Sequence, residues 1–600
     1  MPKLLQEYRD FGGGLCVDLS PDMTPDNCLT VAENVDLSAR AIRKRAGSVK
    51  LNSASYNGEI NRIIEWPRND GSTVWLAVKT VGSTVTLNKV DKATGALTQI
   101  CTLNKADIGW FFWQDRFYFG DGAQYRYYDG AVVKMGYPLP PTSAPTVQAI
   151  SGNPPISPPG TRLCAVSFVY EDGTESVIGP SASVNTGGGH VIEWSNIPTG
   201  AAGSGVVARK LYVTHAGTTS PFYFAEILNN NTSTIAVTSG DDSTRTVPSS
   251  SRDISAVSRC NRFVVHPHSQ RIFASGDPQD KAAIYYSDTG PPYEFRKEWK
   301  RYPPTGHSEV VALSVFGDAV VVHYAGGHMR WKGVDPATDV TWYQMPVNVG
   351  LVSPFAVSLV PNALFFLGQG GPYIVSPAAL ETDYILQPGD SIVRNIAEDR
   401  YASLITRAAD LSQAVAVYDH LRERLLLAFK QDPSSTGNDS VLCIEWDTQA
   451  ASIWKGIKAN HFCLCRDGTL LVASTNYILK LNQPVFTDVD TATGNAVPVS
   501  MTARTKAWDF GYGRLRKKVF DLFFTTEAVQ GGTLDLSVLG GEEDIVKTGL
   551  SVPEGKTYQT RVSAKGERFA VEVANSKAQD VRLNSLALEF KVRKAKGEEV

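Results

Sequence analysis

A pattern of turns and strands recurs seven times along this chain of 600 residues. Each copy has a short polar turn, four or five β-forming residues, a break of Gly or other small residues, and an aromatic-rich second strand. The turns lie at Asp70-Gly71, Asp115-Arg116, Gln270-Arg271, Gly317-Asp318, Pro361-Asn362, Arg422-Glu423 and Asp467-Gly468. Four of the six intervals between these turns are 44, 47, 44 and 45 residues long. That is the length of one four-stranded propeller blade, so the repeat predicts a β-propeller.

The strand after each turn is a run of apolar residues. In chain order these runs are VWLAV, FYFGDG, IFASGD, VVVHYAGG, LFFLGQGG, LLLAF and LLVAS. The second strands are plain in most copies, at Tyr125 to Tyr128, Ile284 to Ser287, Met329 to Lys332, Tyr373 to Ser376 and Tyr477 to Leu481. We expect six to eight blades, because the first and last hairpins of a propeller commonly complete one blade together.

Two intervals are longer than one blade. The interval from Asp115 to Arg271 is 156 residues, which leaves about 110 residues for an inserted domain after one blade is subtracted. The interval from Asn362 to Arg422 is 60 residues, and we expect a short helix between Ser391 and Ala408. The Pro-rich stretch MGYPLPPTSAPTVQAISGNPPISPPG, which leads into the insertion, is expected to be a linker without strand or helix.

Composition supports an all-β chain. Gly 51 and Pro 33, with Phe 24, Tyr 23 and Trp 11, describe short strands joined by tight turns. A net charge of −3 provides no strong field toward nucleic acid or anionic membrane. The eight cysteines contain no CxxC pair, so we expect small buried hydrophobes, and Cys463 and Cys465 share one side of a strand. The first residues lack a signal peptide's apolar core, which predicts folding in a reducing cytoplasm.

These signals divide the chain into five predicted parts. Residues 1–50 form an N-terminal docking segment, in which Asn34 to Leu37 is an expected edge strand. Residues 51–140 and 253–490 are the two parts of the propeller. Residues 141–252 have short alternating strands and an Asp172-Gly173 hairpin, as in a β-sandwich of fibronectin or immunoglobulin type. Residues 491–600 predict a second, jelly-roll-like sandwich and a tail.

The order of these parts resembles that of tailed-bacteriophage tail nozzle proteins, of the podovirus tail tubular protein B and DNA-stabilisation type. The resemblance lies in the combination and order of several phrases, which cover most of the chain. They are ENVDLSARAIRKRAG, FYFGDGAQYRYYDGAVVKMGYPLPP, VSFVYEDGTESVIGPSASV, LYVTHAGTTSPFYFAEI, RIFASGDPQDKAAIYYSDTGPPYEF, VVHYAGGHMRWKG, VGLVSPFAVSLVPNALFFLGQGGPYIVS and KAWDFGYGRLRKKVFDLFF.

The resemblance implies a non-enzymatic virion protein without cofactors, assembled in the host bacterial cytoplasm. Its subunits would form a homo-oligomeric ring, commonly a hexamer, at the distal end of the tail. The implied partners are a head-to-tail adaptor, spike, fibre or needle proteins, genomic DNA passing through the channel and, indirectly, the host envelope. A rigid propeller suits a conduit wall, and lumen surfaces without excess cations would keep DNA from sticking.

A basic cluster beside aromatic residues is the best candidate for a subunit contact. It contains Arg514, Arg516, Lys517 and Lys518, next to Trp508, Phe510 and Tyr512. A solvated strand edge is the alternative, since lysine on an edge prevents strand pairing with other chains. A second cluster, Arg40, Arg43, Lys44 and Arg45, is interpreted as a solvated turn entering the first blade.

No residue is assigned to catalysis, cofactor binding or metal binding. The pairs His266/His268 and His323/His328 lack a third ligand at a diagnostic spacing and are interpreted as surface or turn histidines. Glu171, Asp172, Glu445 and Asp447 show no pairing that the sequence establishes, whereas glycosidases need two carboxylates about 5–10 Å apart. The alternatives from other classes are a carbohydrate-active propeller enzyme and a glycan-binding tail component.

Overall fold

The computed structural model describes an all-β chain. It covers residues 2–171, 173–201, 204–231, 234–244, 254–290, 292–302, 309–331, 342–344, 349–376, 393–513, 515–527, 532–552 and 557–592. The chain divides into two compact units. The larger unit contains residues 1–107, 303–333 and 341–600, and the smaller unit contains residues 108–302 and 334–340. Within the described residues, no helix is long and apolar enough to cross a membrane.

Six short strands form the N-terminal segment of the larger unit. They are β1 (Leu4–Tyr8), β2 (Gly14–Leu15), β3 (Cys28–Glu33), β4 (Val35–Asp36), β5 (Ile42–Lys44) and β6 (Gly47–Lys50). Each of these strands pairs with a partner, so the segment is integrated into sheets along its length. Gly14 allows one close approach, because a Cβ there would lie 2.4 Å from the backbone nitrogen of Ala451.

In the described part of the chain, seven four-stranded antiparallel meanders follow, numbered in chain order. Meander 1 is β7 (Glu59–Pro67), β8 (Thr73–Val81), β9 (Thr84–Val90) and β10 (Leu97–Leu103). Its first turn shows the local chemistry of the repeat. The Asp70 carboxylate accepts the backbone N–H of Ser72, and Gly71 takes φ +83°. Such an Asx turn reverses the chain between two strands.

The smaller unit contains meander 2, an inserted module and meander 3. Meander 2 is β11 (Gly109–Trp113), β12 (Arg116–Gly120), β13 (Tyr125–Tyr128) and β14 (Val133–Met135). Meander 3 comes after the nine strands of the inserted module, β15 to β23, and has four strands. They are β24 (Arg262–Val265), β25 (Ile272–Ser275), β26 (Ile284–Ser287) and β27 (Phe295–Arg301). The two meanders share an aromatic core that includes Phe111, Tyr118, Tyr125 and Phe263.

The inserted module packs a three-stranded and a four-stranded sheet around one apolar core. Its strands are β15 (Thr146–Ser151), β16 (Ile156–Ser157), β17 (Gly160–Tyr170), β18 (Ala182–Thr186), β19 (His190–Ser195), β20 (Val206–Thr214), β21 (Phe222–Asn229), β22 (Ala236–Thr238) and β23 (Gly240–Asp241). The sheet orders are β15-β19-β22 and β18-β17-β20-β21, and β16 pairs with β23. The side chains between the two sheets include Val166, Ile192, Trp194 and Leu211. Two 3-10 turns, Asp242–Thr244 and Val257–Arg259, follow the module.

The expectation of an irregular Pro-rich linker is wrong at β15. Residues Thr146 to Ser151 contain no proline, and every one of them pairs with β19. The nearest prolines flank this run, at Pro145 and Pro154, where a missing N–H removes no bond from the ladder. The high proline content of the whole stretch therefore led to a wrong prediction for these six residues.

The larger unit resumes with meanders 4 to 7. Meander 4 is β28 (Val310–Phe316), β29 (Ala319–Tyr324), β30 (Gly327–Trp331) and β31 (Trp342–Gln344), and meander 5 is β32 (Val357–Val360), β33 (Ala363–Gly368), β34 (Gly371–Val375) and β35 (Val393–Asn395). The expected helix between Ser391 and Ala408 is shorter than predicted: β35 occupies part of the range, and α1 is Ala402–Thr406.

Meanders 6 and 7 complete the series. Meander 6 is β36 (Asp410–Asp419), β37 (Arg424–Lys430), β38 (Ser440–Glu445) and β39 (Ala451–Lys455). Meander 7 is β40 (His461–Leu464), β41 (Leu470–Ala473) and β42 (Ile478–Gln483), with β6 of the N-terminal segment as its fourth strand. Meander 7 packs on meander 6 through one apolar cluster and on meander 1 through another. Because both faces are covered, β37 and β41 are continuous apolar runs without alternation.

The C-terminal strands build a layered module continuous with meander 6. They are β43 (Thr487–Val489), β44 (Ala496–Pro498), β45 (Met501–Thr505), β46 (Lys517–Thr526), β47 (Gly532–Gly541), β48 (Ile545–Val552), β49 (Thr557–Arg561), β50 (Lys565–Asn575) and β51 (Arg582–Val592). Strand β3 lies between β39 and β45, which links meander 6 to this module. Strands β1 and β5 pair with β51.

The basic tract at residues 40–45 was expected to be a solvated turn. This expectation is wrong for its last two residues, because Lys44 and Arg45 are buried. The Arg45 guanidinium forms an ion pair with Asp488 and donates to Asn34 Oδ1 at 2.8 Å and to the Lys455 carbonyl at 2.9 Å. The Lys44 ammonium donates to Asn575 Oδ1 and to the Lys577 carbonyl, and burial lowers its pKa to about 8. These two side chains fasten the N-terminal segment to meander 6 and to the C-terminal module.

Replacing Arg45 with alanine should lower the free energy of unfolding of the larger unit by about 3–5 kcal/mol, because it leaves Asp488 buried without its cation. The matched control is Arg40→Ala in the same tract, whose side chain is 62% exposed and pairs with an exposed Asp10. That change should cost under about 0.5 kcal/mol. Urea denaturation followed by tryptophan fluorescence measures both variants. Equal costs would contradict the anchoring role of Arg45.

Candidate subunit-contact site

The predicted contact cluster lies where the chain enters β46. Trp508 and Phe569 form an isolated antiparallel β-bridge. Each backbone N–H donates to the other residue's carbonyl, with N···O distances of 2.9 and 3.0 Å. A loop then leaves the sheet, helped by positive φ at Gly511 and Gly513. The side chain of Asp509 accepts the Gly511 N–H at 2.9 Å, which closes the first turn of this loop.

The three aromatic residues of the cluster have different roles. Trp508 is buried and stacks on Tyr8 of β1, with ring centroids 3.8 Å apart and planes 4° apart. Phe510 stacks on Phe590 at 4.4 Å. Tyr512 is 39% exposed and meets the same Phe590 ring edge-on. Of the three, Tyr512 is therefore the one that presents a large apolar surface to solvent.

Lys517 does not lie on the surface, in contrast to the sequence-based assignment. It is fully buried, and its ammonium donates to the carbonyls of Gly513, Leu515 and Glu567 at 2.9, 2.8 and 2.7 Å. Burial lowers the pKa of this amine. Its charge is used to fold the loop back onto β46, so it is not available to a partner.

The remaining basic residues leave a small exposed surface. The Arg516 side chain is 63% exposed and pairs with Glu542 at 2.6 Å, and Leu515 is 43% exposed. Lys518 is half-buried with its ammonium over the Phe520 ring. Arg514 lies outside the described residues. We call Tyr512, Leu515 and Arg516 the contact loop.

The contact loop has the composition of a protein interface. It combines an aromatic, an aliphatic and an arginine side chain, and aromatic residues and arginine are enriched in interfaces. The Arg516–Glu542 pair is solvated on both sides, so it contributes under about 1 kcal/mol to the fold. Exchanging Glu542 for a carboxylate of a second molecule would therefore cost this chain little.

Lys517→Met should destabilise the chain by about 1–3 kcal/mol, because three carbonyls lose their shared donor. Arg516→Gln, one residue away, should change stability by less than about 0.5 kcal/mol. Thermal unfolding monitored by circular dichroism distinguishes them. A Lys517→Met variant as stable as the parent would show that the ammonium does not hold the loop.

A second group of charges lies at meander 6, and only one of its members, Glu445, was singled out from the sequence. Arg424 on β37 lies opposite Glu445 on β38. Its guanidinium pairs with Asp36 at 3.7 Å and with Asp419 at 3.9 Å, and it lies 4.9 Å from the Trp454 ring centroid. The sequence signal for this group is a charged residue inside an otherwise apolar run, Arg424 in RLLLAF and Glu445 in VLCIEW. Which carboxylates meet the guanidinium depends on the packing.

The Glu445 carboxyl has a raised pKa. Burial raises it to about 7, the negative charges of Asp36 and Asp419 add to the effect, and Arg424 opposes it. The Cys443 thiol donates to its Oε1 at 3.7 Å. The other two carboxylates singled out from sequence within the described residues, Glu171 and Asp447, are exposed, and Asp172 is not described.

Stability should fall as the pH rises from about 4.5 to 7, because the folded state then holds a proton on Glu445 that the unfolded state has released. The slope from this one group is up to about 1.4 kcal/mol per pH unit. Glu445→Gln should flatten it, whereas Glu542→Gln on the surface should not. Urea midpoints at pH 5, 6, 7 and 8 measure the effect. An unchanged slope in Glu445→Gln would refute the assignment.

The histidine pairs are more buried than expected. His323 and His328 face each other across the β29–β30 hairpin, both buried, with Nδ1 atoms 2.7 Å apart. Burial and the neighbouring His328 hold the pKa of His323 well below its usual range. His266 is also buried and accepts the Ser269 N–H, whereas His268 is exposed. Within the described ranges, no three His, Cys, Asp or Glu side chains are grouped as metal ligands.

Comparison with known proteins gives no family for the chain. No family model matches it, and no curated protein matches it. Among solved structures, a computationally designed protein, Ika8, is 9% identical, with a TM-score of 0.31, over 72% of this chain and 99% of its own. The extracellular domain of the putative one component system BT4673 from B. thetaiotaomicron is 10% identical, with a TM-score of 0.27, over 90% of this chain and 82% of its own. The AfRom2 CNH domain is 10% identical, with a TM-score of 0.24, over 61% of this chain and 91% of its own.

Proposed function

We propose that this chain is a structural protein of a bacteriophage tail, without enzymatic activity. In this proposal, copies of the chain form a ring, commonly of six, at the tail end that retains DNA and then conducts it. The observation that carries the proposal is the order of its parts. A docking segment, a meander series interrupted by an inserted module, and a C-terminal β-module follow one another as in the tail nozzle family that the sequence resembles.

The proposal includes a seven-bladed propeller. Seven meanders of four antiparallel strands support this number. Strand β6, from the N-terminal segment, supplies the fourth strand of meander 7, and such shared blades close propellers. The inserted and C-terminal modules are the proposed fibronectin- or immunoglobulin-like and jelly-roll-like sandwiches.

A conduit for DNA needs a stiff wall to which DNA does not adhere. Packing of central strands such as β37 and β41 between two covered faces supports stiffness, since close-packed interiors deform little. The nearly balanced charge, 58 basic against 61 acidic residues, supports weak DNA binding. Each additional phosphate contact from lysine or arginine would strengthen adhesion.

The contact loop is the proposed meeting point between neighbouring copies in the ring. Its exposed Arg516 has a partner on the same chain, Glu542, that is itself half exposed. In a ring, the same pair of charges can form between copies instead of within one copy. Adaptor, spike, fibre or needle proteins are the further proposed partners, and the assembled tail is the proposed location.

Arg516→Glu should abolish or strongly reduce ring formation, because it places like charges together at the contact, which costs several kcal/mol across an interface. The matched control is Arg9→Glu, which disrupts another exposed pair, Arg9 with Glu7. Size-exclusion chromatography with light scattering reports the oligomer. Rings of unchanged abundance in Arg516→Glu would exclude the loop as the subunit contact.

A density gradient of a lysate tests the function itself. A virion component should band with DNA-filled particles at a few copies per particle, detected by mass spectrometry. Soluble material alone would contradict the tail proposal. Turnover of a polysaccharide by that material would favour the enzyme alternative, and hits on a glycan array without turnover would favour the glycan-binding one.

A further inference from the structure

The lysine at the end of β5 lies against the asparagine at the end of β50, and both are buried. Lys44 is 1% exposed and Asn575 is 3% exposed. The Lys44 ammonium donates to Asn575 Oδ1 at 2.5 Å. Because a C=O bond is about 1.2 Å long, the side-chain carbonyl carbon of Asn575 lies within about 3.7 Å of the lysine nitrogen. Groups that react with each other in proteins are held at a similar separation, about 3–3.5 Å.

The surroundings of Lys44 favour its neutral, nucleophilic form. The two oxygens that accept its hydrogen bonds belong to uncharged carbonyl groups. Burial lowers the pKa of the amine to about 8, Arg45 adds to this effect, and Asp580, which pairs with Arg43, opposes it. At pH 8 about half of this amine is therefore unprotonated, against under about 1% of an exposed lysine.

The side-chain amide of Asn575 is held in place by its other hydrogen bonds. Its Oδ1 accepts the backbone N–H of Lys577 at 3.2 Å, and its Nδ2 donates to the Thr533 carbonyl at 2.5 Å. These bonds keep the amide carbonyl directed at Lys44. The Lys577 N–H also reaches the oxygen on which negative charge would develop if an amine attacked the carbonyl carbon, and such a donor stabilises that charge.

We propose that Lys44 and Asn575 are a self-modification site, at which the two side chains become joined by an isopeptide bond. The Lys44 nitrogen first releases a proton to solvent, and its electron pair then attacks Cγ of Asn575 to form a new C–N bond. The new nitrogen passes one proton to Nδ2, the bond between Cγ and Nδ2 breaks, and ammonia leaves. One amine and one primary amide thus give one secondary amide and one ammonia, without a further reactant.

The bond would connect the N-terminal segment to the C-terminal module through residues 531 positions apart in the chain. Strand β5 pairs with β51 at two positions, Ile42 opposite Leu583 and Arg43 opposite Arg582. A contact of two residue pairs separates when the strands fray, whereas an amide bond persists. The two ends of the larger unit would then stay together even when the meanders between them unfold. This chemistry does not depend on the tail function proposed above.

Peptide mapping of the full-length protein tests the proposal. The folded protein is incubated at pH 8, denatured and cleaved after glutamate, which places Lys44 in residues 34–59 and Asn575 in residues 573–589. The expected result is one joined fragment whose mass is the sum of the two less one ammonia. Tandem mass spectrometry should assign the link to Lys44 and Asn575. Two separate, unmodified fragments after prolonged incubation, or a link through other residues, would overturn the proposal.

A pair of lysine variants separates the covalent bond from an ordinary hydrogen bond. Lys44→Arg should eliminate the joined fragment, because a guanidinium keeps the charge and the donors but remains protonated and does not attack the amide. The matched control is Lys50→Arg, whose side chain is exposed and lies in the same fragment, and it should retain the link. A joined fragment that persists in Lys44→Arg would refute the assignment.

Denaturing gel electrophoresis supplies a second readout. The linked chain is closed into a ring between residues 44 and 575, so it should migrate differently from Lys44→Arg, which a hydrogen bond alone would not cause. Equal migration of the parent and Lys44→Arg would contradict the ring. If Lys44→Arg does not fold, the peptide map of the parent chain decides alone.

Discussion

The buried charge of Arg45 holds the larger unit together at the point where three parts of the chain meet. Its guanidinium reaches Asn34 of the N-terminal segment, the Lys455 carbonyl at the end of meander 6, and Asp488 in β43. A buried cation is tolerated only when every donor finds an acceptor. The position of each acceptor is thus fixed by the others, and a shift in any one segment leaves charge unpaired for the rest.

The same region contains a second guanidinium, and one indole lies near both. Trp454 lies 5.4 Å from Arg45 and 4.9 Å from Arg424, measured from ring centroid to guanidinium carbon. Its Nε1–H donates to the Val35 carbonyl at 3.3 Å. Cation–π contacts strengthen when water is excluded. Asp36, Asp419 and Asp488 already place three negative charges against these two cations, so protonation of Glu445 keeps a fourth negative charge out of this cluster.

The regular parts of the fold were readable from the sequence, and the tertiary exceptions were not. The all-β class is confirmed, and a strand lies at each of the seven apolar runs, because central strands buried on both faces are continuous apolar segments. Lys44, Arg45 and Lys517 looked like surface residues because charge normally marks the surface. Each is buried instead, since backbone carbonyls and side chains that the fold brings close accept its hydrogen bonds. No local pattern reports such partners, so the sequence did not show which residues of the candidate cluster are exposed.

The pairing of β6 with β42 also sets the order in which the protein can fold. Residues 47–50 leave the ribosome early, yet their partners, residues 479–483, are synthesised more than 400 residues later. Until then, meander 7 does not exist, and the N-terminal strands have open edges. Chaperones would need to protect those edges throughout translation, since unpaired strands aggregate. A chain that terminates before β42 therefore lacks the partner that β6 needs, and proteolysis of such fragments is the expected outcome.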